Sequence, residues 1–206
     1  MARADGQPSK GELTRSRLVE VAAQVFAEHG YSATTYEQLV QATGLSRGAF
    51  YFHFPSKEKL AVEVLRRTKD RWLAQVSQRV AGAGDAAAAL REFGPALIEL
   101  HLTDPAGWVA SGLARESATG SELRAAAADV TRSWLAAIAE LVRAAQAQGG
   151  VRADLDAEQV ALVLYAAVDG LHTLADLLVD EPHRQAGFAA QVAVLRSVLD
   201  GGLFRA

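Results

Sequence analysis

Residues Thr34–Lys57 read TTYEQLVQATGLSRGAFYFHFPSK, and the fold turns on this stretch. Thr34 or Thr35 offers a hydroxyl to cap a helix starting near Tyr36, with Glu37 and Gln38 in its first turn and Leu39 and Val40 as its apolar residues. Gly44 breaks that helix, because a residue without a Cβ accepts the backbone angles of a tight turn. Ser46 caps a second short helix, from Arg47 to about Phe52. Pro55 ends it, since proline pushes the residue before it out of helical geometry. Two short helices joined by a glycine-containing turn are a helix-turn-helix.

The second helix begins with small or polar residues, Ser46, Arg47, Gly48 and Ala49, and continues with aromatic ones, Phe50 to Phe54 around His53. Small side chains let a backbone approach a surface closely. Arg47 at the helix start carries a fork that matches the acceptor pair of guanine in a major groove. Tyr51 and His53 are candidate phosphate donors, and Lys57 stands at a helix N-terminus, where amides and dipole favour a phosphate. Phe50 and Phe54 read as core. Taken singly, Arg47 also reads as a solvated charge and His53 as a neutral surface histidine.

Working outward, the helical period continues on both sides. Leu18, Val21, Ala22, Val25 and Phe26 form one stripe that stops at His29-Gly30. Ser56 caps a long helix whose stripe is Leu60, Ala61, Val64, Leu65, Thr68, Trp72 and Val76, ending near Gly82-Ala83-Gly84. Further helices are expected at about Asp85–Leu102, Ala106–Ser117, Ser121–Gln148, Asp156–Val179 and His183–Leu199. Asp104-Pro105, Gly120, Gly149-Gly150, Glu181-Pro182 and Gly201-Gly202 are the breaks. No segment alternates apolar and polar residues long enough for a strand, so the expected class is all-α. The expected domains are residues 1–55, the helix-turn-helix, and residues 56–206, with helix 56–81 connecting the two.

From Val160 to Leu178 apolar residues cover nearly every helix face, and Phe188, Val192, Leu195 and Leu199 form a seam on the last helix. A helix apolar all round must be covered on more than one side. The expected cover is a second copy of the chain, with the last two helices of each forming a four-helix bundle. The other reading of these helices is as the core of a monomer.

Composition sets the bounds. The chain has 206 residues, 21 Lys+Arg, 24 Asp+Glu and no Cys. Without cysteine there is no disulfide scaffold, iron–sulfur ligation, thiol nucleophile or Cys-bound zinc. Residues 1–80 hold 12 Lys+Arg against 8 Asp+Glu, and the remainder is acidic, so a polyanion is expected at the basic end. Residues 1–10 contain no apolar stretch of signal type, and the longest unbroken apolar run is the nine residues Val160–Val168. A membrane helix needs about 20. A cytoplasmic location without membrane association is the resulting expectation. No nucleophile elbow, phosphate-binding loop, dinucleotide fingerprint or metalloprotease motif occurs, and a non-enzyme is expected. Asp169, His172 and Asp176 share a helix face at metal-ligand spacing. The same spacing is ordinary for a solvated polar strip, and no second ligand cluster supports it, so neither metal nor cofactor is expected.

Three stretches, FAEHGY at Phe26–Tyr31, ATT at Ala33–Thr35 and GLSRGAFYFHFPSKEKL at Gly44–Leu60, carry a resemblance. Residues Arg15–Leu65 closely resemble the DNA-binding domain of TetR-type repressors. The resemblance implies an all-helical dimer, Arg47–His53 in the major groove of a palindromic operator, and a small-molecule effector pocket in the C-terminal part. The candidate DNA-binding residues are Thr35, Tyr36, Ser46, Arg47, Gly48, Ala49, Tyr51, His53 and Lys57.

The run Tyr51–Ala61 is also similar to the γ-butyrolactone receptor branch of that family, as are Ala110–Arg115 and Trp134 within VTRSWLAAI. In that branch the tryptophan packs on the ligand. The chain departs from the branch in having Thr near position 68 where Gln is expected, so a butenolide or antibiotic fits as well as a butyrolactone. Candidate pocket residues are Trp134 with Val130 and Ile138 at four-residue spacing, Leu164, Tyr165 and Val168 facing them, and Trp108 closing an end. Thr68, Thr131, Tyr165 and His172 supply the few polar groups such sites carry. The plain reading of Trp108 and Trp134 is as core residues. The rival functions are a helical small-molecule-binding protein without specific DNA binding, and an all-helical enzyme with an unrecognised site.

Overall fold

The computed structural model describes residues 9–178 and 183–204, with the side chains of residues 102, 105–108, 111, 184 and 185 outside the description. The described residues form nine helices, α1 (Lys10–His29), α2 (Tyr36–Thr43), α3 (Arg47–His53), α4 (Lys57–Ala81), α5 (Ala86–Thr103), α6 (Pro105–Glu116), α7 (Glu122–Ala147), α8 (Ala157–Leu178) and α9 (Arg184–Gly202). They contain no strand, only an isolated antiparallel bridge between Val151 and Phe204. The class is all-α, as expected. The expected end of α8 at Val179 and the Glu181-Pro182 break lie outside the described residues.

Local chemistry accounts for the helix ends. Ser9 caps α1 in a reciprocal box with Glu12, and the Gly30 amide closes it on the Phe26 carbonyl at 2.9 Å. Thr35, of the two candidate threonines, caps α2: its hydroxyl accepts from the Gln38 amide, and the Gln38 side chain reaches back. Thr34 is buried instead, and its hydroxyl donates to the Gly30 carbonyl at 2.6 Å. Gly44 ends α2 in the left-handed region at φ +68, where a Cβ is strained. Ser46 caps α3 by accepting from the Ala49 amide at 3.2 Å. Ser56 caps α4 through the Lys59 amide at 3.1 Å.

The chain packs as two compact units. One comprises residues up to Thr68 together with Pro105–Ala128, the other Lys69–Asp104 together with Asp129–Ala206, so α4 and α7 each contribute to both. In the first unit α1 packs on α2 and α6. Its interior is apolar: Leu18, Leu39, Phe50, Phe54, Leu60, Leu65, Leu113 and Leu123 are each no more than 2% exposed. Phe50 and Phe54 are core, as expected.

In the second unit α9 packs on α5 and α8. One cluster of buried residues unites Trp72 and Val76 of α4, Leu90, Phe93 and Leu100 of α5, Trp134, Ile138 and Val142 of α7, and Ala157 and Ala161 of α8. Gly150 lies so close to α5 that a Cβ there would stand 2.6 Å from the Ala87 Cβ. Helix α8 is long and apolar enough to cross a membrane by length and composition. Much of that apolar surface is uncovered within one chain, with Leu162, Val163, Leu174, Leu177 and Leu178 exposed, as are Val194 and Val198 of α9.

Candidate functional site

Helix α3 is held from one side. Phe50 is fully buried and meets the Tyr36 ring edge-on, with centroids 5.0 Å apart. The α3 C-terminus is tied down by Arg15, which donates to the His53 carbonyl at 3.1 Å, lies over the Phe54 ring and pairs with Glu63 at 3.2 Å. At 100° per residue, Gly48 and Phe52 both project opposite Phe50. Among the described residues a Cβ at Gly48 would meet nothing within 4 Å, so their packing does not require a glycine there. Ser46, Arg47, Gly48, Ala49 and Tyr51 are all exposed, and Phe52 is 85% exposed. The site therefore presents one cation, two small residues and two aromatic rings on a short capped helix.

The expected contact residues divide into those open to a ligand and those already engaged. Arg47 is exposed, but its guanidinium pairs with Glu37 of α2 at 3.3 Å and lies over the Tyr51 ring. The Tyr51 hydroxyl and the Glu37 carboxylate push its pKa further up. Tyr36 spends its hydroxyl internally, donating to the Phe54 carbonyl at 2.5 Å, while its ring stacks on Tyr51 with centroids 4.4 Å apart. Burial, with the neighbouring Tyr51, pushes the Tyr36 pKa up to about 12. Thr35 is exposed at the α2 N-terminus, and His53 is half-buried beside the Phe52 ring.

Lys57 is the most committed of the set. Its ammonium donates to the carbonyls of Tyr31 and Thr34 at 2.8 Å each and of Ser32 at 3.5 Å, and it sits 4.4 Å from the Tyr31 ring centroid. Partial burial lowers its pKa. The turn it grips is held from the other side by Glu116 of α6, which accepts from the Ser32 amide at 2.6 Å. Nearby, Glu58 accepts from the Leu123 amide at 3.1 Å, and Lys59 pairs with Glu122 at 2.7 Å.

The expected effector residues fall into several places. In the second unit Trp134 and Ile138 are buried in the main cluster, with Val130, Leu164 and Tyr165 packed against it. Phe93 meets Trp134 edge-on at 6.0 Å. Thr131 and Tyr165 bring their hydroxyls within 3.4 Å, and burial raises the Tyr165 pKa. Val168 is half-buried on α8. His172 lies deeper, 1% exposed, against His101 and Phe188 at centroid distances of 5.1 and 5.8 Å. The Asp176 carboxylate, one turn further along α8, lies 4.0 Å from its Nδ1. Thr68 is buried in the first unit, and the Trp108 side chain lies outside the described ones.

Sequence reasoning passed over Phe52 and Glu37 at the α3 surface, and Trp72, His101 and Phe188 in the second unit. Trp72 stacks edge-on against His101 at 4.7 Å and donates its indole N–H to Asp104 at 2.7 Å. His101 Nδ1 is 2.8 Å from the Leu97 carbonyl, which makes Nδ1 the protonated nitrogen. No periodicity on a single helix signals this cluster, because its members come from α4, α5, α8 and α9.

Two family models match the chain. That of the bacterial regulatory proteins of the tetR family matches residues 18–64, and that of the tetracyclin repressor-like C-terminal domain matches residues 113–190. Among curated relatives, the HTH-type transcriptional repressor AcnR of Corynebacterium efficiens is 43% identical over 65 residues, 32% of this chain and 35% of that protein. The match thus spans about a third of that relative's length. A TetR transcriptional regulator from Chloroflexus aurantiacus superposes with a TM-score of 0.79 at 25% identity, covering 96% of this chain and 99% of that one. A structure described as the molecular basis for control of antibiotic production by bacterial hormones has the same fold, with a TM-score of 0.79 at 24% identity and 96% and 100% coverage.

Proposed function

The chain belongs to the TetR family of bacterial regulators, and from that premise we propose that it is a cytoplasmic, dimeric, ligand-responsive transcriptional repressor. Residues 1–55 carry the DNA-binding function and residues 56–206 the effector and dimer functions. Helix α3 enters the major groove, one copy per half-site of a palindromic operator, since a two-fold protein matches a two-fold site. The observation that carries this reading is the outer face of α3, where Arg47, Gly48 and Ala49 stand exposed on a helix anchored from behind by Phe50.

On this reading Arg47 exchanges Glu37 for a base edge, while Ser46, Ala49, Tyr51, His53 and the α2 N-terminus at Thr35 supply the backbone contacts. Tyr36 and Lys57 serve the surface from behind, because their polar atoms already bind carbonyls of the chain. The second copy of the chain covers the exposed apolar residues of α8 and α9, among them Leu177 and Leu178 at 75% and 73% exposure. Single exposed leucines need no explanation, but seven exposed aliphatic side chains on two packed helices do.

The effector reading centres on Trp134, with Val130, Leu164, Tyr165 and the Thr131 hydroxyl. An apolar molecule of butyrolactone, butenolide or antibiotic type suits that lining. It releases DNA only in so far as it binds the free arrangement more tightly than the bound one. Anisotropy of a labelled duplex from the region upstream of the chain's own gene, with a scrambled duplex as control, tests the DNA reading. Tight, salt-sensitive binding to the true sequence supports it, and equal weak binding to both contradicts it at that locus.

A further inference from the structure

Phe52 has no structural task in the described chain. At 85% exposure it is more open than Leu177 at 75%, and its ring lies T-shaped to the neighbouring His53 ring, with centroids 5.3 Å apart. The other aromatic rings of this region are occupied. Phe50 and Phe54 are buried, and Tyr36 and Tyr51 stack on each other. Phe52 projects from α3 opposite Phe50, one turn beyond Gly48, where no described residue comes within 4 Å of an added Cβ.

A phenyl ring neither donates to a phosphate nor bonds the polar edge of a base. The one apolar group that base pairs present in the major groove is the 5-methyl of thymine. We propose that Phe52 is a specificity-determining residue that reads a thymine in each half-site by packing its ring on that methyl group. The proposal rests on the reading that α3 lies in the groove. The neighbouring arrangement fits it: Gly48 and Ala49 let the helix seat deeply enough for the ring to reach the groove floor, and Arg47 handles the polar edges alongside.

The test uses the full-length protein and duplexes it selects from a random pool. Each thymine of the selected half-site is replaced in turn by deoxyuracil, symmetrically in both halves. This removes the methyl and leaves base pairing intact. Wild type, Phe52→Ala, Phe52→Leu and Arg47→Ala are titrated by anisotropy, and their folding is compared by thermal melts. One position is expected to cost wild type about tenfold when its two methyl groups are removed, a methyl group buried in each half-site being the lost contact. Phe52→Ala should bind the thymine duplex about as weakly as wild type binds the deoxyuracil duplex, and should no longer distinguish them. Phe52→Leu should retain part of the discrimination. Melting should be unchanged in all three variants, since each side chain is exposed.

The proposal is overturned if Phe52→Ala binds like wild type, or if it weakens every duplex while keeping full sensitivity to deoxyuracil, the pattern of a sugar-phosphate contact. Failure of the underlying reading looks different. There wild type enriches no sequence and Arg47→Ala has no effect, and the thymine assignment falls with it.

Discussion

The Lys57 ammonium lies 2.8 Å from the carbonyl oxygen of Thr34. The same ammonium reaches Tyr31 and Ser32, so one cation closes the turn that ends at Thr35, the cap of α2. A lysine at a helix N-terminus reads from sequence as a phosphate ligand, yet here its donors point back into the protein. Lys57→Gln is expected to cost about 1–2 kcal/mol of stability, the loss of charge-assisted hydrogen bonds at a partly exposed site. A denaturant melt measures it. The variant should weaken operator binding without altering the salt slope. A slope flatter by about one unit would return Lys57 to the phosphate backbone.

Arg47 and Glu37 form an exposed pair at 3.3 Å on the surface assigned to DNA. Arg47→Ala is expected to lower operator affinity by about ten- to a hundredfold and to relax preference at one base pair. Glu37→Gln should act oppositely, tightening binding several-fold at low salt, because it removes a carboxylate that competes with DNA for Arg47 and repels phosphate. Titration of both variants at two salt concentrations checks the pair of signs.

Helix ends and core residues of the first unit are legible in sequence for a physical reason: each is set within a few residues of chain. Ser46, Gly44 and Ser56 act at the positions where their hydroxyls or lack of a side chain predict, and Phe50 and Phe54, four apart, share the buried face. Phe52 differs from them only in angle, 200° round the helix, and residue type alone does not separate a core ring from an exposed one. The second unit is less legible. That Trp134 has Phe93 for a neighbour, and His172 has His101, depends on how α5 registers against α7 and α8, which no local pattern encodes.

The His101 ring gives a pH dependence. Burial lowers its pKa from 6.5, opposed by the Leu97 carbonyl and by Asp169 and Asp104. A histidine harder to protonate folded than unfolded contributes stability that is complete above pH 6.5 and declines as pH falls towards the folded value. The midpoint of denaturant unfolding should therefore drop between pH 7.5 and 5.5. His101→Gln should show a smaller drop over the same interval. An equal drop in both would place the titration elsewhere.

Leu177 is 75% exposed on α8 and assigned to the dimer face. Leu177→Asp would bury a carboxylate against apolar surface on association, a penalty large enough to shift the assembly strongly towards monomer. Analytical ultracentrifugation should show a dimer for wild type and a monomer of unchanged helicity for the variant. The variant should also lose affinity for a two-half-site duplex. A monomeric wild type would remove the second copy from α8 and α9.

The central claim is that the outer face of α3 binds a specific duplex. It is tested most directly by titrating wild type and Arg47→Ala, at physiological salt, into a labelled duplex from upstream of the chain's gene and into its scrambled counterpart. The account predicts that wild type binds the true duplex at least a thousandfold more tightly than the scrambled one, on the order of the gap between specific and non-specific binding, and that Arg47→Ala narrows that gap by about ten- to a hundredfold. Binding that follows salt but not sequence, with Arg47→Ala equal to wild type on every duplex tried, including those selected from a random pool, would contradict it.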